Sequence, residues 1–190
     1  MTFIVVYDSC VLFSNCLRDT LIRVAGAGLV RARWTDEILD ETFRAVQSKR
    51  TVDPAALSVT RERLKAAVPD CIVTGFEGLA DGIQLPDPGD RHVVAAAIRC
   101  GAQSIITDNL KDFPRSALAP YNIEAMSPDE FVLDLLDLAP VKMLEILTTQ
   151  AAALKNPPLT LDDVLQRLRR CGLHESVAKV HELRERLELK

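Results

Sequence analysis

Acidic residues recur in this chain where apolar runs stop. Asp8 closes the run Phe3-Ile4-Val5-Val6-Tyr7, and Asp90 opens the stretch leading into Val93-Val94-Ala95-Ala96-Ala97-Ile98. Asp108 follows Ile105-Ile106-Thr107 with Asp112 just beyond it, and Glu41 lies on a helix-like segment from Asp36 to Gln47. In α/β sheets, ligands and catalytic groups gather at strand ends. Acids delivered there from separate segments repel one another unless something positive neutralises them. A hard divalent cation, which prefers oxygen ligands, is the fitting neutraliser. Mg²⁺ or Mn²⁺ in such a cluster serves phosphodiester hydrolysis: it activates a water and stabilises charge on the phosphoryl and leaving oxygens, alone or as a pair of ions ~3.5–4 Å apart.

Several neighbouring residues have simpler readings. Asp36, Glu37 and Asp40 read as surface acids of a helix, the first two placed to suit its dipole. Asp87, in Pro86-Asp87-Pro88-Gly89, reads first as a turn residue and second as a ligand. Asp90 can cap a helix and still bind a metal. His92 reads as a surface or packing residue rather than a general base. Arg91, Asn109 and Lys111 flank the proposed cluster and either contact a phosphate or offset the acids.

The elements that must position these residues follow from pattern. Phe3 to Tyr7 and Ser104 to Thr107 read as short buried strands, with further strands at Val30 to Trp34, Cys71 to Thr74 and Ile123 to Ala125. Helices are expected from Val11 to Ala27, from Asp36 after a Thr35 cap, from Pro54 to Val68 and from Asp90 to Cys100 with Gly101 ending it. Ser127-Pro128-Asp129-Glu130 is a capping box that opens a helix to Leu138. Beyond Pro140 only helical patterns remain: Val141 to Leu154, a Thr160-capped helix to Arg170, and Glu175 to Leu187. The alternation predicts an α/β fold, a central parallel sheet flanked by helices, with a C-terminal all-helical extension. The expected division is residues 1–138 and 139–190.

Composition bounds the function. At 190 residues the chain fits one domain or one domain with an appendage. Apolar content is 48%, yet no apolar run approaches the roughly 20 residues of a membrane span. The first run is too short, and lacks the preceding basic residues, for a secretory signal. A soluble, cytoplasmic protein with no membrane association is expected. Cys10, Cys16, Cys71, Cys100 and Cys171 are odd in number and widely spaced, which argues against a disulfide framework or a zinc site. The net charge of −4 argues against a nucleic-acid coat protein but not against a nuclease, whose acids lower the net charge. Arg31, Arg33, Arg44, Lys49 and Arg50 form either a local basic patch or a solvated face.

Four segments carry a family resemblance. They are Val5-Val6-Tyr7-Asp8-Ser9-Cys10-Val11-Leu12, Thr35-Asp36-Glu37-Ile38-Leu39-Asp40-Glu41, Leu85-Pro86-Asp87-Pro88-Gly89-Asp90-Arg91-His92-Val93-Val94-Ala95-Ala96-Ala97 and Ile106-Thr107-Asp108-Asn109-Leu110-Lys111-Asp112-Phe113-Pro114. In this order and spacing, residues 3 to 135 resemble a PIN domain close to the VapC-type toxin ribonucleases, and the C-terminal helices resemble a tail found on some bacterial PIN proteins. The resemblance implies a Mg²⁺- or Mn²⁺-dependent endoribonuclease that leaves a 3′-hydroxyl and a 5′-phosphate. Its first three acids fall on Asp8, Glu41 and Asp90. The fourth stays open between Asp108 and Asp112, because Asn109 holds the place two residues after Thr107. The implied metal ligands are Asp8, Glu41, Asp90 and Asp112, with Thr107, Asn109 and Arg91 toward substrate. The implied partners are RNA and, for the toxin of a type II toxin–antitoxin pair, a small antitoxin with an arginine for the acidic groove. The extension packs on the domain, builds a homodimer or binds the partner. Two other functions compete. A PIN module with a weakened fourth acid would bind RNA or a protein without cutting. An aspartyl-phosphate phosphatase would use Asp8 as nucleophile, but needs a second Asp where Cys10 stands.

Overall fold

The computed structural model describes residues 3–188. Strands β1 (Ile4–Tyr7), β2 (Arg31–Arg33), β3 (Ser104–Ile106) and β4 (Glu124–Met126) form one parallel sheet in the order β2-β1-β3-β4. The helices are α1 (Ser9–Phe13), α2 (Asn15–Gly26), α3 (Asp36–Lys49), α4 (Pro54–Ala67), α5 (Glu77–Ala80), α6 (Arg91–Cys100), α7 (Arg115–Leu118), α8 (Pro128–Leu138), α9 (Pro140–Ala153), α10 (Leu161–Arg170) and α11 (His174–Glu188). The expected α/β architecture with a helical C-terminal region is therefore present. Val5, Val6, Tyr7, Ile105 and Ile106 are wholly buried, as strands covered by helices require. Helix α6 packs on β1 and β3, and α2 packs on β2.

Strand register delivers the first acid. Tyr7 pairs with Ile106, so Asp8 and Thr107 leave the sheet side by side at its C-terminal edge. The Asp8 N–H donates to the Ile106 carbonyl at 3.1 Å, and the Thr107 N–H to the Met126 carbonyl at 2.9 Å. An aromatic cluster stiffens this edge. Tyr7 stacks on Trp34 at 6.2 Å between centroids, meets Phe131 edge-on at 6.1 Å, and donates its hydroxyl to the Leu21 carbonyl.

Several elements differ from expectation, each for a local reason. The helix expected from Val11 to Ala27 is two helices, broken at Ser14, whose backbone is extended at φ −76° and ψ 126°. Asp8 caps α1, so that helix begins at once after β1. The buried Arg18 guanidinium satisfies the break, donating to the Leu12 carbonyl at 2.6 Å and to Asn15 Oδ1 at 2.6 Å. The strand expected at Cys71 to Thr74 is only a bridge between Trp34 and Ile72. Asp90 makes no side-chain capping bond. A 3₁₀ turn, Pro88–Asp90, runs straight into α6, and the capping falls to Asp87, which accepts from the Gly89 N–H at 2.8 Å. Strand β4 starts one residue later than expected, after Asn122 turns the chain at φ 55°. Gly101, at φ 67°, ends α6 as read from the sequence. The Ser127 and Thr160 caps both form, each as a reciprocal capping box.

The C-terminal helices share the buried core of the sheet region. Helix α9 packs on α2, α10 on α9, and α11 on α8. Buried Gln150 on α9 donates to the Cys16 carbonyl at 2.9 Å and accepts from Thr20 Oγ1 at 2.8 Å. Asp129 on α8 caps the start of α11 from outside. Its carboxylate accepts the Glu175 N–H at 2.9 Å and the Ser176 N–H at 2.8 Å, while Ser176 Oγ donates to the Asp129 carbonyl. Burial alone would raise this carboxyl, but the bonds from Ser176, Glu175 and His174 outweigh it and hold the group below its usual range. A depressed folded-state pKa stabilises the fold above the unfolded value, and that gain is lost as pH falls through the depressed one. Asp129→Ala should lower unfolding free energy by about 1–2 kcal/mol near pH 7. Urea denaturation followed by the emission of the one tryptophan, buried Trp34, measures this. The gap between parent and variant should close at strongly acidic pH.

Candidate metal centre

Asp8 sits 5% exposed at the end of β1. Both its oxygens are held. Oδ1 accepts the Ser9 N–H at 2.6 Å, and Oδ2 accepts Thr107 Oγ1 at 2.7 Å and Cys10 Sγ at 3.2 Å. Burial, with the Asp8 charge second, pushes the Cys10 thiol up to about 12, so it stays protonated and acts as a donor. Thr107 Oγ1 in turn accepts the Asn109 N–H at 3.0 Å. One hydroxyl thus locks the strand-end acid to the loop that follows β3.

Two 3₁₀ turns bring further carboxylates. In a 3₁₀ turn, side chains three residues apart eclipse. Asp87 and Asp90 bracket the first, closed by the Asp90 N–H on the Asp87 carbonyl at 3.2 Å. Asn109 and Asp112 bracket the second, Leu110–Asp112, closed by the Asp112 N–H on the Asn109 carbonyl at 3.1 Å. The Asn109 amide also donates to Asp112 Oδ2. One carboxylate oxygen each from Asp87, Asp90 and Asp112 lies within 4.8 Å of the other two.

The electrostatics mark Asp90. Burial, then the charges of Asp8, Asp87, Asp112 and Glu41, push its carboxyl up to about 6. Its Oδ2 is buried with no hydrogen-bond partner. A buried acceptor left without a donor is costly, and an all-oxygen donor set suits a hard divalent ion. The residues present therefore fit Mg²⁺ or Mn²⁺.

Glu41 faces the same region from α3. Its Oε1 lies 3.1 Å from His92 Nε2. Burial would raise its carboxyl, but the His92 bond and charge, with Ser9 and Arg44, hold it below the usual range. His92 is buried, which decides between the surface and packing readings in favour of packing. Burial would lower the imidazole pKa, but Glu41, Glu37 and Asp8 raise it. Its Nδ1 lies 3.7 Å from a Glu37 oxygen. Glu37 is thus drawn toward the site, whereas Asp36 and Asp40 pair with Arg61, and Asp36 also with Lys65, at the surface.

Asp108 is exposed; its N–H donates to Cys10 Sγ, and burial of the carboxyl, then the Asp8 charge, raises its pKa. Arg91 is half-buried with a partnerless Nε. Sequence reasoning underrated two residues. Asp87 is both turn cap and cluster member, and its spacing of three from Asp90 was the available signal. His92 reaches Glu41 across 51 positions, and nothing local announces that contact. The basic patch divides. Arg33 is buried and donates to the Asp70 carbonyl, and Arg31 pairs at the other end of β1, while Lys49 and Arg50 gather on the Phe13 ring.

A parallel sheet with carboxylates collected at its C-terminal edge defines the class. Residues 4–111 match the family model described as PIN domain, and residues 128–182 match the one described as VapC50 C-terminal domain. The chain belongs to the PIN domain family. Among curated proteins it is similar to "Putative ribonuclease VapC50" of Mycobacterium tuberculosis (strain ATCC 25618 / H37Rv), at 46% identity over 79 residues. That stretch is 42% of this chain and 47% of the relative, so the match spans about half the length of the curated protein.

Were Asp90 a metal ligand, proton and metal would compete for it. Mn²⁺ affinity, titrated by calorimetry, should fall as pH drops below about 6 and approach a tenfold loss per pH unit. An affinity flat from pH 7 to pH 5 would show that Asp90 is not a ligand. A raised folded-state pKa also means that the metal-free protein gains stability as pH falls through about 6. Asp90→Asn should therefore stabilise the metal-free protein at pH 7, by about 1 kcal/mol once solvent screening is allowed for, and do little at pH 4.

Proposed function

We propose that this protein is a divalent-metal-dependent endoribonuclease and the toxin of a type II toxin–antitoxin pair. The observation that carries the reading is the orphaned Asp90 Oδ2 inside a carboxylate trio whose oxygens lie within 4.8 Å of one another. The likeness to a protein named as a ribonuclease supports the substrate class. Asp90 and Asp112 would hold the ion with Asp8, and Asp87 adds carboxylate charge beside them. Glu41 completes the set from α3. An ion held there would supply an acidified water and offset charge on the phosphoryl group.

The chain's own residues do the positioning. Thr107 and the Ser9 N–H fix Asp8, so its carboxylate cannot turn away. Asn109 aims Asp112. We assign the fourth acid to Asp112 rather than Asp108, because Asp112 joins the trio and Asp108 does not. On this reading Asn109 is a positioning residue for Asp112, so its presence is no sign of a weakened site. His92 keeps Glu41 ionised and in place. Arg91, half-buried next to Asp90, would be the phosphate contact.

The same acids suit restraint by an antitoxin arginine, which would satisfy Asp90 as the metal does. Residues 1–138 would be the nuclease unit and 139–190 its helical extension, braced by Gln150 and Asp129. Five free cysteines accord with the reducing cytoplasm, and among the described residues no helix is long and apolar enough to cross a membrane.

Purified protein with Mg²⁺ or Mn²⁺ should cleave single-stranded RNA to 5′-phosphate products. Asp8→Asn and Asp112→Asn should bring cleavage to background, Thr107→Val should lower it about 10–100-fold, and Asp108→Asn should leave most of it. Tight Mn²⁺ binding without cleavage of any RNA would favour the non-cutting module. Equal losses from Asp108→Asn and Asp112→Asn would overturn the assignment of the fourth acid.

A further inference from the structure

Phe13 ends α1, and two cations from the end of α3 lie over its ring: Lys49 Nζ at 5.2 Å and Arg50 Cζ at 5.3 Å from the centroid. Lys49 and Arg50 are exposed and Phe13 is half-buried. Among the described residues, neither cation makes an ion pair within 4 Å, and nor does Arg44, exposed on α3 between Glu41 and this end.

The ring is held in place by the fold. Arg18 Nη1 donates to the carbonyls of Leu12 and Phe13, and its Nη2 to Asn15, fixing the break between α1 and α2. Arg18 itself lies 5.9 Å over the Phe43 ring and adds a buried positive charge beneath. Helices α1 and α3 pack side by side. Asp8 and Glu41 stand toward one end of the pair, and Phe13, Lys49 and Arg50 at the other. The five residues of α1 rise only ~6–8 Å, so one extended strand reaches both ends.

We propose that Phe13, Lys49 and Arg50 form a docking subsite for single-stranded RNA, which places a neighbouring nucleotide while the carboxylates act on the chain. A base stacks on the Phe13 ring, and the two cations swing from the ring to the flanking phosphates. Both halves are general features of single-strand recognition, in which aromatic faces take bases of any sequence and basic side chains track the backbone. An exposed cation–π contact is weak, so the swing costs little. The subsite deepens the ribonuclease reading and rests on it.

The test is binding of a fluorescein-labelled phosphorothioate oligouridylate in Mg²⁺, which keeps the backbone charge while sulfur slows cleavage at a hard-metal site. Phe13→Leu, which keeps bulk but removes the π face, should raise Kd about tenfold. Phe13→Trp should retain affinity, and the introduced indole should be quenched by RNA while buried Trp34 is not. Lys49→Ala with Arg50→Ala should reduce the salt slope by about 0.7 for each cation removed. Trp34 emission verifies the fold of each variant. If the parent binds and all three variants match it in Kd and salt slope, the subsite is wrong while the ribonuclease reading stands. If the folded parent binds no RNA, both fall. If the variants keep RNA affinity but lose a protein partner, the surface belongs to that partner and the subsite is overturned.

Discussion

Carboxylates held this close repel one another, and the fold around them works against that repulsion. Asp87, Asp90 and Asp112 present oxygens within 4.8 Å of each other, with the Asp8 and Glu41 charges acting on Asp90 as well. Left free, such side chains would swing apart into solvent. Two 3₁₀ turns, one threonine hydroxyl and one amide hold them. The consequence is visible at Asp90, whose carboxyl is pushed up to about 6 and whose Oδ2 has no donor. Stability is given up locally, and a cation bound there would restore it.

The sheet is the frame for this arrangement, because parallel strands end on the same side. The Tyr7–Ile106 pairing sets Asp8 beside Thr107, and a register shift of one residue would turn the Thr107 side chain away. The aromatic cluster of Tyr7, Trp34 and Phe131 ties that edge to α8. From α8 the constraint passes through Asp129 to α11, and from α2 through Thr20 and Gln150 to α9. The C-terminal helices therefore stiffen the elements that carry the site without contributing a carboxylate to it.

What could be read from sequence depended on whether the cause was local. Asp8 was legible because packing gives little reason for an acid directly after a buried strand, and the Ser127 and Thr160 caps were legible because capping is a four-residue pattern. The break at Ser14 was not, since serine is no helix breaker and the stabilising group is a buried guanidinium four positions on. The contact between His92 and Glu41 needs α6 and α3 to be packed before it exists. Asp87 fell between these cases: its turn role was plain, but its second role follows only from 3₁₀ geometry, where a spacing of three means a shared side.

The distribution of positive charge completes the physical picture. Arg91 and Arg44 stand near the acids, while Lys49 and Arg50 gather at the far end of α3, where they also suit the negative end of the helix dipole. A cation placed within the trio would pair with a carboxylate and block the site, as Arg61 and Lys65 do for Asp36 outside it. Among the described residues, none of Asp87, Asp90 and Asp112 has a Lys or Arg partner within 4 Å. The chain thus keeps its own cations off the trio and displays them along α3. On the proposed function, a polyanion approaching α3 would meet this positive charge before the carboxylates, whose own charge a divalent ion would offset in part.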